Sequence, residues 1–221
     1  MNGWGEFAAA YALFLAAHLV PARPAVRFRL IAMLGRGPYL IGYSALSIGL
    51  LLWVIRAAGR APYVPLWRWT PWQSWVPNLA MPLACLLVVA GLRTPNPYSL
   101  GRAGTFDAGR PGVLALTRHP LLWALALWAA AHALANGDLA HVLLFSGFAL
   151  FALAGMVLFD RRTRRGGSVL QPAPARRPVR GVSALAAPPT LLLGALLYLA
   201  LFVAHPLLTG GIPARPAPWS W

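Results

Sequence analysis

Along the chain, apolar residues gather into six long stretches: Gly5–Val20, Tyr39–Ile55, Val76–Leu92, Leu116–Ala135, Leu139–Phe159 and Leu185–Leu208. Crossing about 30 Å of hydrocarbon takes roughly 20 apolar residues in a helix, the conformation that satisfies its own backbone hydrogen bonds where water is absent. The pattern predicts an all-α protein, a polytopic membrane bundle of about six transmembrane helices with the lipid bilayer as its solvent. The first stretch is the shortest of the six.

The connections differ in character. "APYVPLWRWTPWQSW" carries prolines that break any helix, and its Trp67, Trp69, Trp72 and Trp75 suit the headgroup region, so it is expected to lie along the membrane surface. "RRTRRGGSVLQPAPARRPVRG" is rich in Pro, Gly and Arg and has too little apolar surface to bury a core. It is expected as a flexible loop at 161–184 inside a single membrane domain covering 1–221. Gly42, Ala45 and Gly49 offer a small-residue face that a neighbouring helix can approach closely.

Composition excludes a soluble domain: 59% of residues are hydrophobic and only 10% charged. A net charge of +15 would suggest nucleic acid in a soluble protein, but all 19 basic residues are Arg and they lie between the apolar runs. That placement reads as topology and leaves no nucleic-acid partner. With six spans, Arg23, Arg27, Arg29 and Arg36, then Arg93, Arg102, Arg110 and Arg118, then the Arg161–Arg180 run fall on one side, the cytoplasmic one. Arg56, Arg60, Arg68 and Arg215 fall on the other, with both termini. Glu6, with no Arg before the first run, argues for a retained first helix over a cleaved signal. The lone cysteine, Cys85, lies inside an apolar run, which excludes a disulfide framework and favours a structural role.

Ionisable residues inside a membrane are rare and read first as functional. Five histidines are available: His18, His119, His132, His141 and His205. His119 and His132 stand 13 residues apart on one helix, about 20 Å of rise and nearly opposite faces, so they cannot share one compact site. His132 lies deepest, on a stripe with Trp128 and Asn136, and favours function; His119, beside Arg118 and Pro120, is balanced between an interfacial and a functional role. His141 reads as solvated, and His18 and His205, each followed closely by proline, as helix-end residues or ligands. Neutral imidazole ligates metals and haem, while the chain offers no CxxC, CxxCH or HExxH motif and no paired carboxylates for a di-iron site. The four acidic residues Glu6, Asp107, Asp138 and Asp160 fall at helix ends or loops, which gives little support to a proton-coupled transporter.

Taken together, "AAHLVPARP", "TPNPYSLG", "TRHPLLWALALWAAAHALANGD", "GMVLFDRR" and "AHPLLTG" resemble the NnrU family of bacterial membrane proteins, and the same order of motifs is similar to zeta-carotene isomerase. The resemblance implies a multi-pass protein of the bacterial inner membrane, linked by its family name to nitrogen-oxide metabolism in denitrification. The isomerase branch further implies haem b and a hydrophobic small-molecule substrate, with the iron ligands falling on His18 and His132. Ala129 stands where the isomerase carries a cysteine three residues before the second ligand. Helix depth pairs the histidines differently, His132 with His205 and His18 with His119, and both pairings stay open. "RHP" opening a membrane helix is also similar to isoprenylcysteine and phospholipid methyltransferases, which implies S-adenosylmethionine facing His119. A non-catalytic assembly or regulatory protein is the third class compatible with the motifs.

Overall fold

A computed structural model describes residues 3–21, 23–102, 104–165 and 178–209. These are helical throughout except at their connections: α1 (Gly3–Leu19), α2 (Pro24–Leu34), α3 (Arg36–Arg60), α4 (Trp75–Arg93), α5 (Pro120–Ala135), α6 (Leu139–Arg165), α7 (Pro178–Leu185) and α8 (Pro188–Thr209). Short 3-10 turns at Pro71–Ser74 and Gly112–Ala115 lead into α4 and toward α5. Each of the six apolar stretches forms a helix, and the protein is an all-α membrane bundle, as the hydrophobic pattern predicts.

The count of crossings is lower than six by length and composition. Four helices suffice to span on their own, α3, α4 with its leading turn, α6 and α8, and a fifth span arises if α1 and α2 are one segment bent by 83°. Pro21 and Pro24 lie at that bend, where neither can donate a helical N–H. α5 is only 16 residues, about 24 Å, because the chain before it turns through Gly112–Ala115 and Pro120 fixes its first position.

The segment read as a loop at 161–184 is helical at both ends, α6 continuing to Arg165 and α7 beginning at Pro178. Residues 166–177 of that loop lie outside the described residues. The continuation places Asp160 inside α6 rather than at its end. The small-residue face at Gly42, Ala45 and Gly49 also departs from expectation: it is exposed, and nothing lies within 4 Å of a Cβ built at Gly42 or Gly49. Close approach occurs instead at Gly91, where an added Cβ would sit 3.0 Å from Pro120 Cγ, and at Gly181, where it would sit 2.6 Å from the Leu116 backbone nitrogen.

The chain divides into two compact units. One holds α1 to α3, the chain to Trp67, residues 137–144 and the end of α8. Here α1 packs on α3, and the Glu6 carboxylate accepts hydrogen bonds from Trp53 Nε1 at 3.1 Å and from Arg60. The surface segment after α3 is tied down by its backbone, with Leu66 N donating to Gly137 O at 2.8 Å and Leu139 N to Val64 O at 2.9 Å. The other unit holds residues 68–136 and 145–204. In it α4 and α5 pack along their lengths through small residues, among them Ala84, Ala90 and Ala124, which let the backbones come close. Phe148 is fully buried there, stacked on Trp128 with ring centroids 5.6 Å apart. Trp69, Trp72 and Trp75 stay half exposed, as interfacial anchors do.

Candidate functional site

In the second unit the loop from Thr94 to His119 links the end of α4 to the start of α5. Its geometry rests on Asn96, a buried amide that uses both ends: Oδ1 accepts from Tyr98 N at 2.9 Å, and Nδ2 donates to Arg118 O at 2.9 Å. Burial raises the Tyr98 phenol above its ordinary range, with Arg118 opposing. Thr117 Oγ1 accepts from His119 N at 3.1 Å, and Pro120 then starts α5 with His119 as its N-cap. The sequence T-R-H-P thus holds its imidazole against the bundle rather than leaving it at the surface.

His119 is only 6% exposed, and it is bonded through both ring nitrogens. Nε2 lies 3.1 Å from Asp160 Oδ1 on α6, and Nδ1 lies 2.8 Å from Ser99 Oγ. A carboxylate only accepts, so Nε2 carries the hydrogen, and in the neutral ring Nδ1 accepts the Ser99 hydroxyl. Arg118 Nη1 stands 3.5 Å from the same carboxylate oxygen. The result is a chain of groups, Ser99 to His119 to Asp160, that can pass a proton by exchanging which ring nitrogen holds the hydrogen.

His119 and Asp160, with Arg118 and Thr117, form the polar part of the lining of a cavity of about 580 Å³. The remaining walls are mainly apolar: Leu83 and Leu87 from α4, Trp123 and Leu127 from α5, Met156 from α6 and Leu185 from α7. An apolar pocket closed at one end by a few convergent polar groups is the usual form of a small-molecule site.

The other sequence candidates lie elsewhere. His132, on α5, directs Nδ1 at Trp128 O at 2.8 Å and packs beside Phe145, ring centroids 5.1 Å apart. His18, in the first unit, directs Nδ1 at Phe14 O at 2.8 Å and lies 4.2 Å from the Phe14 ring. A carbonyl also only accepts, so each ring carries its hydrogen on Nδ1 and, when neutral, a lone pair on Nε2. His205 lies in the first unit one residue before Pro206, half-buried within α8. His141 is not solvated as expected: it is bonded to Asp138 at 2.7 Å, and the two side chains are 16% and 14% exposed. Asp138 also accepts from the His141 backbone nitrogen at 3.2 Å, capping α6, which accounts for the burial of the pair. Among the described residues no three or more His, Cys, Asp or Glu side chains gather as a metal cage.

Ser99 and Asp160 were the partners not foreseen. Both were visible as members of motifs: Ser99 in "TPNPYSLG" and Asp160 in "GMVLFDRR", while His119 sits in "TRHP". Three of the stretches that carry the family resemblance therefore meet at one imidazole, across sequence separations of 20 and 41 residues. A membrane bundle with a buried polar relay at one end of an apolar cavity is the class of protein the fold and site define. The profile of the family described as NnrU protein matches residues 6–213. The chain belongs to that family. No curated protein and no solved structure matches it significantly.

Proposed function

We propose that this NnrU-family protein binds a hydrophobic small molecule in the cavity of its second unit, in a bacterial inner membrane, and that His119 relays a proton at the polar end. One observation carries the reading: an almost fully buried imidazole, bonded on both nitrogens, opens with Asp160, Arg118 and Thr117 onto walls that are mainly apolar. Burying an imidazole in such surroundings is costly unless its nitrogens are bonded, as both are here. Asp160 keeps the ring oriented, and Arg118 Nη1 stands 3.5 Å from the same carboxylate oxygen. Isomerase-like or redox chemistry on an apolar substrate suits this layout, and a link to nitrogen-oxide metabolism rests on the family name alone.

The test is an organic extract of the detergent-purified protein, compared by mass spectrometry among wild type, His119→Gln and Leu87→Trp, which fills the cavity. The expected result is a hydrophobic compound retained by wild type and lost from Leu87→Trp. Identical extracts from folded proteins overturn the reading. Binding of S-adenosylmethionine that His119→Gln abolishes transfers the site to the methyltransferase-like alternative.

A second reading is supported by the side chain of His132. Its Nδ1 is anchored to the Trp128 carbonyl, which fixes the tautomer an axial haem ligand needs. His18 is held in the same tautomer. Haem b bound there would supply one-electron chemistry; the protein would supply the ligand and the aromatic wall of Trp128 and Phe145. A Soret band in protein made with haem supplied, lost in His132→Ala, supports this. Its absence from haem-supplied protein refutes it.

A further inference from the structure

We infer that the second unit carries a separate site for a phosphate group, held by Arg93 and Arg102. A cavity of about 390 Å³ lies between the end of α4, residue 102 and the turn from α7 into α8. Its polar lining is Arg93, Thr94, Arg102 and Thr190, and the rest is Ala90, Ala184, Ala187 and Pro189. No acidic residue is among them.

Several features fix the two guanidinium-bearing residues at this place. Arg93 ends α4, and the Arg102 backbone is tied to the same corner, its carbonyl accepting from Asn96 N at 3.0 Å. Gly101, at φ +154, makes the turn into it, where an added Cβ would sit 3.1 Å from Asn96 Cβ. Arg102 Nη1 also lies 3.5 Å from Arg93 O, which keeps its side chain over the end of α4. Among the described residues neither arginine is paired with a carboxylate. The ion pairs that form among the described residues involve other partners: Glu6 with Arg60, Asp160 with Arg118 and His119, and Asp138 with His141. Asp107 accepts from Gly109 N.

Two like charges are thus brought to one concave surface without an acid to balance them. A guanidinium is a planar fork that matches two oxygens of a phosphate, and two forks with threonine hydroxyls beside them make a polydentate anion site. Thr190 is 4% exposed and faces this cavity. Basic pockets at the ends of membrane helices take lipid phosphates in this manner. On α8 the next residues, Leu191, Leu192 and Leu193, are exposed at 45%, 62% and 42%, an apolar surface on which acyl chains can lie. The shared chemistry is phosphate, reached either as a phospholipid headgroup or as the free ion.

Full-length protein in detergent separates these sources. Native mass spectrometry reads retention of phosphatidylglycerol, phosphatidylcholine and inorganic phosphate by wild type, Arg93→Gln/Arg102→Gln and Arg110→Gln, the last an arginine outside the cavity. The expected result is phosphate-bearing adducts on wild type and Arg110→Gln and at least about tenfold less on the double variant, the scale of one lost charge-assisted contact. Phosphatidylglycerol alone retained assigns the lipid source; inorganic phosphate retained as well assigns the free ion. Equal retention by all three proteins, or equal loss in Arg110→Gln, overturns the site. If the double variant fails to fold, Arg102→Lys decides: it keeps the charge but not the fork, so undiminished retention likewise overturns it.

Discussion

Replacing Asp160 by leucine tests the relay most directly, because it removes the acceptor and keeps the volume. His119, with its side chain 7% exposed, is then left with a buried N–H that has lost its partner. That costs roughly 2–3 kcal/mol, the range for a hydrogen bond to a charged group inside a protein. The contact with Arg118 adds less, under about 1 kcal/mol, since both side chains are near 30% exposed and 3.5 Å apart. For a chain of this length a loss of 2–3 kcal/mol lowers the thermal midpoint by roughly 4–12 °C. His119→Phe and the double variant complete a cycle followed by intrinsic fluorescence on heating. Because two apolar replacements leave neither group stranded, the double variant should be about 1–2 kcal/mol better than the sum of the singles. Additivity to within about 0.5 kcal/mol refutes the bond as an energetic link, whatever the distance between the atoms.

Other expectations follow from individual contacts. Phe148→Ala empties a fully buried site beside Trp128 and should cost about 3–5 kcal/mol, read as a fall in the thermal midpoint; a loss under 1 kcal/mol contradicts the packing. Gly137→Ala sets a Cβ 2.3 Å from Trp67 O, a backbone atom that cannot step aside, so limited proteolysis after residue 60 should speed up, and unchanged cleavage argues against that contact. A phenol whose folded value is raised stabilises the protein below about pH 10 and loses that contribution above it, so Tyr98→Phe should flatten the alkaline fall in stability; parallel curves count against burial as the cause.

The helices were legible because hydrocarbon imposes length and apolarity on each of them. Crossing number was less so: a 16-residue α5 and a bent α1–α2 pair depend on prolines and turns whose effect on path is not carried by hydrophobic pattern. The histidines show the same division. Depth on a helix was readable and singled out His132, but partners come from other helices. His119 gained its standing from Ser99, 20 positions before it, and Asp160, 41 after it, and neither separation has a periodic signature. The motifs flagged the right stretches without saying that they meet. The burial of His141 is not legible in the sequence, because the backbone pairing of Val64 to Leu66 with residues 137–139 that holds its partner Asp138 in place joins segments about 70 residues apart.

Tyr198 of α8 donates to Asn78 Oδ1 on α4 at 3.2 Å, and Gly194 of the same helix faces Leu86. As numbers rise on α8 they fall on α4, so the two contacts set the sliding and rotation of α8 against an antiparallel neighbour. The bond spans 120 residues of chain. A ribosome delivers α4 long before α8, so during synthesis the Asn78 amide, already donating to Ser74 O at 2.7 Å, meets Tyr198 only when the later helix arrives. Leu185, a wall of the larger cavity, lies on α7 just ahead of α8. The cavity is therefore among the last parts of the second unit to be finished, and a ligand present in the membrane meets its completed pocket only once α7 has been made.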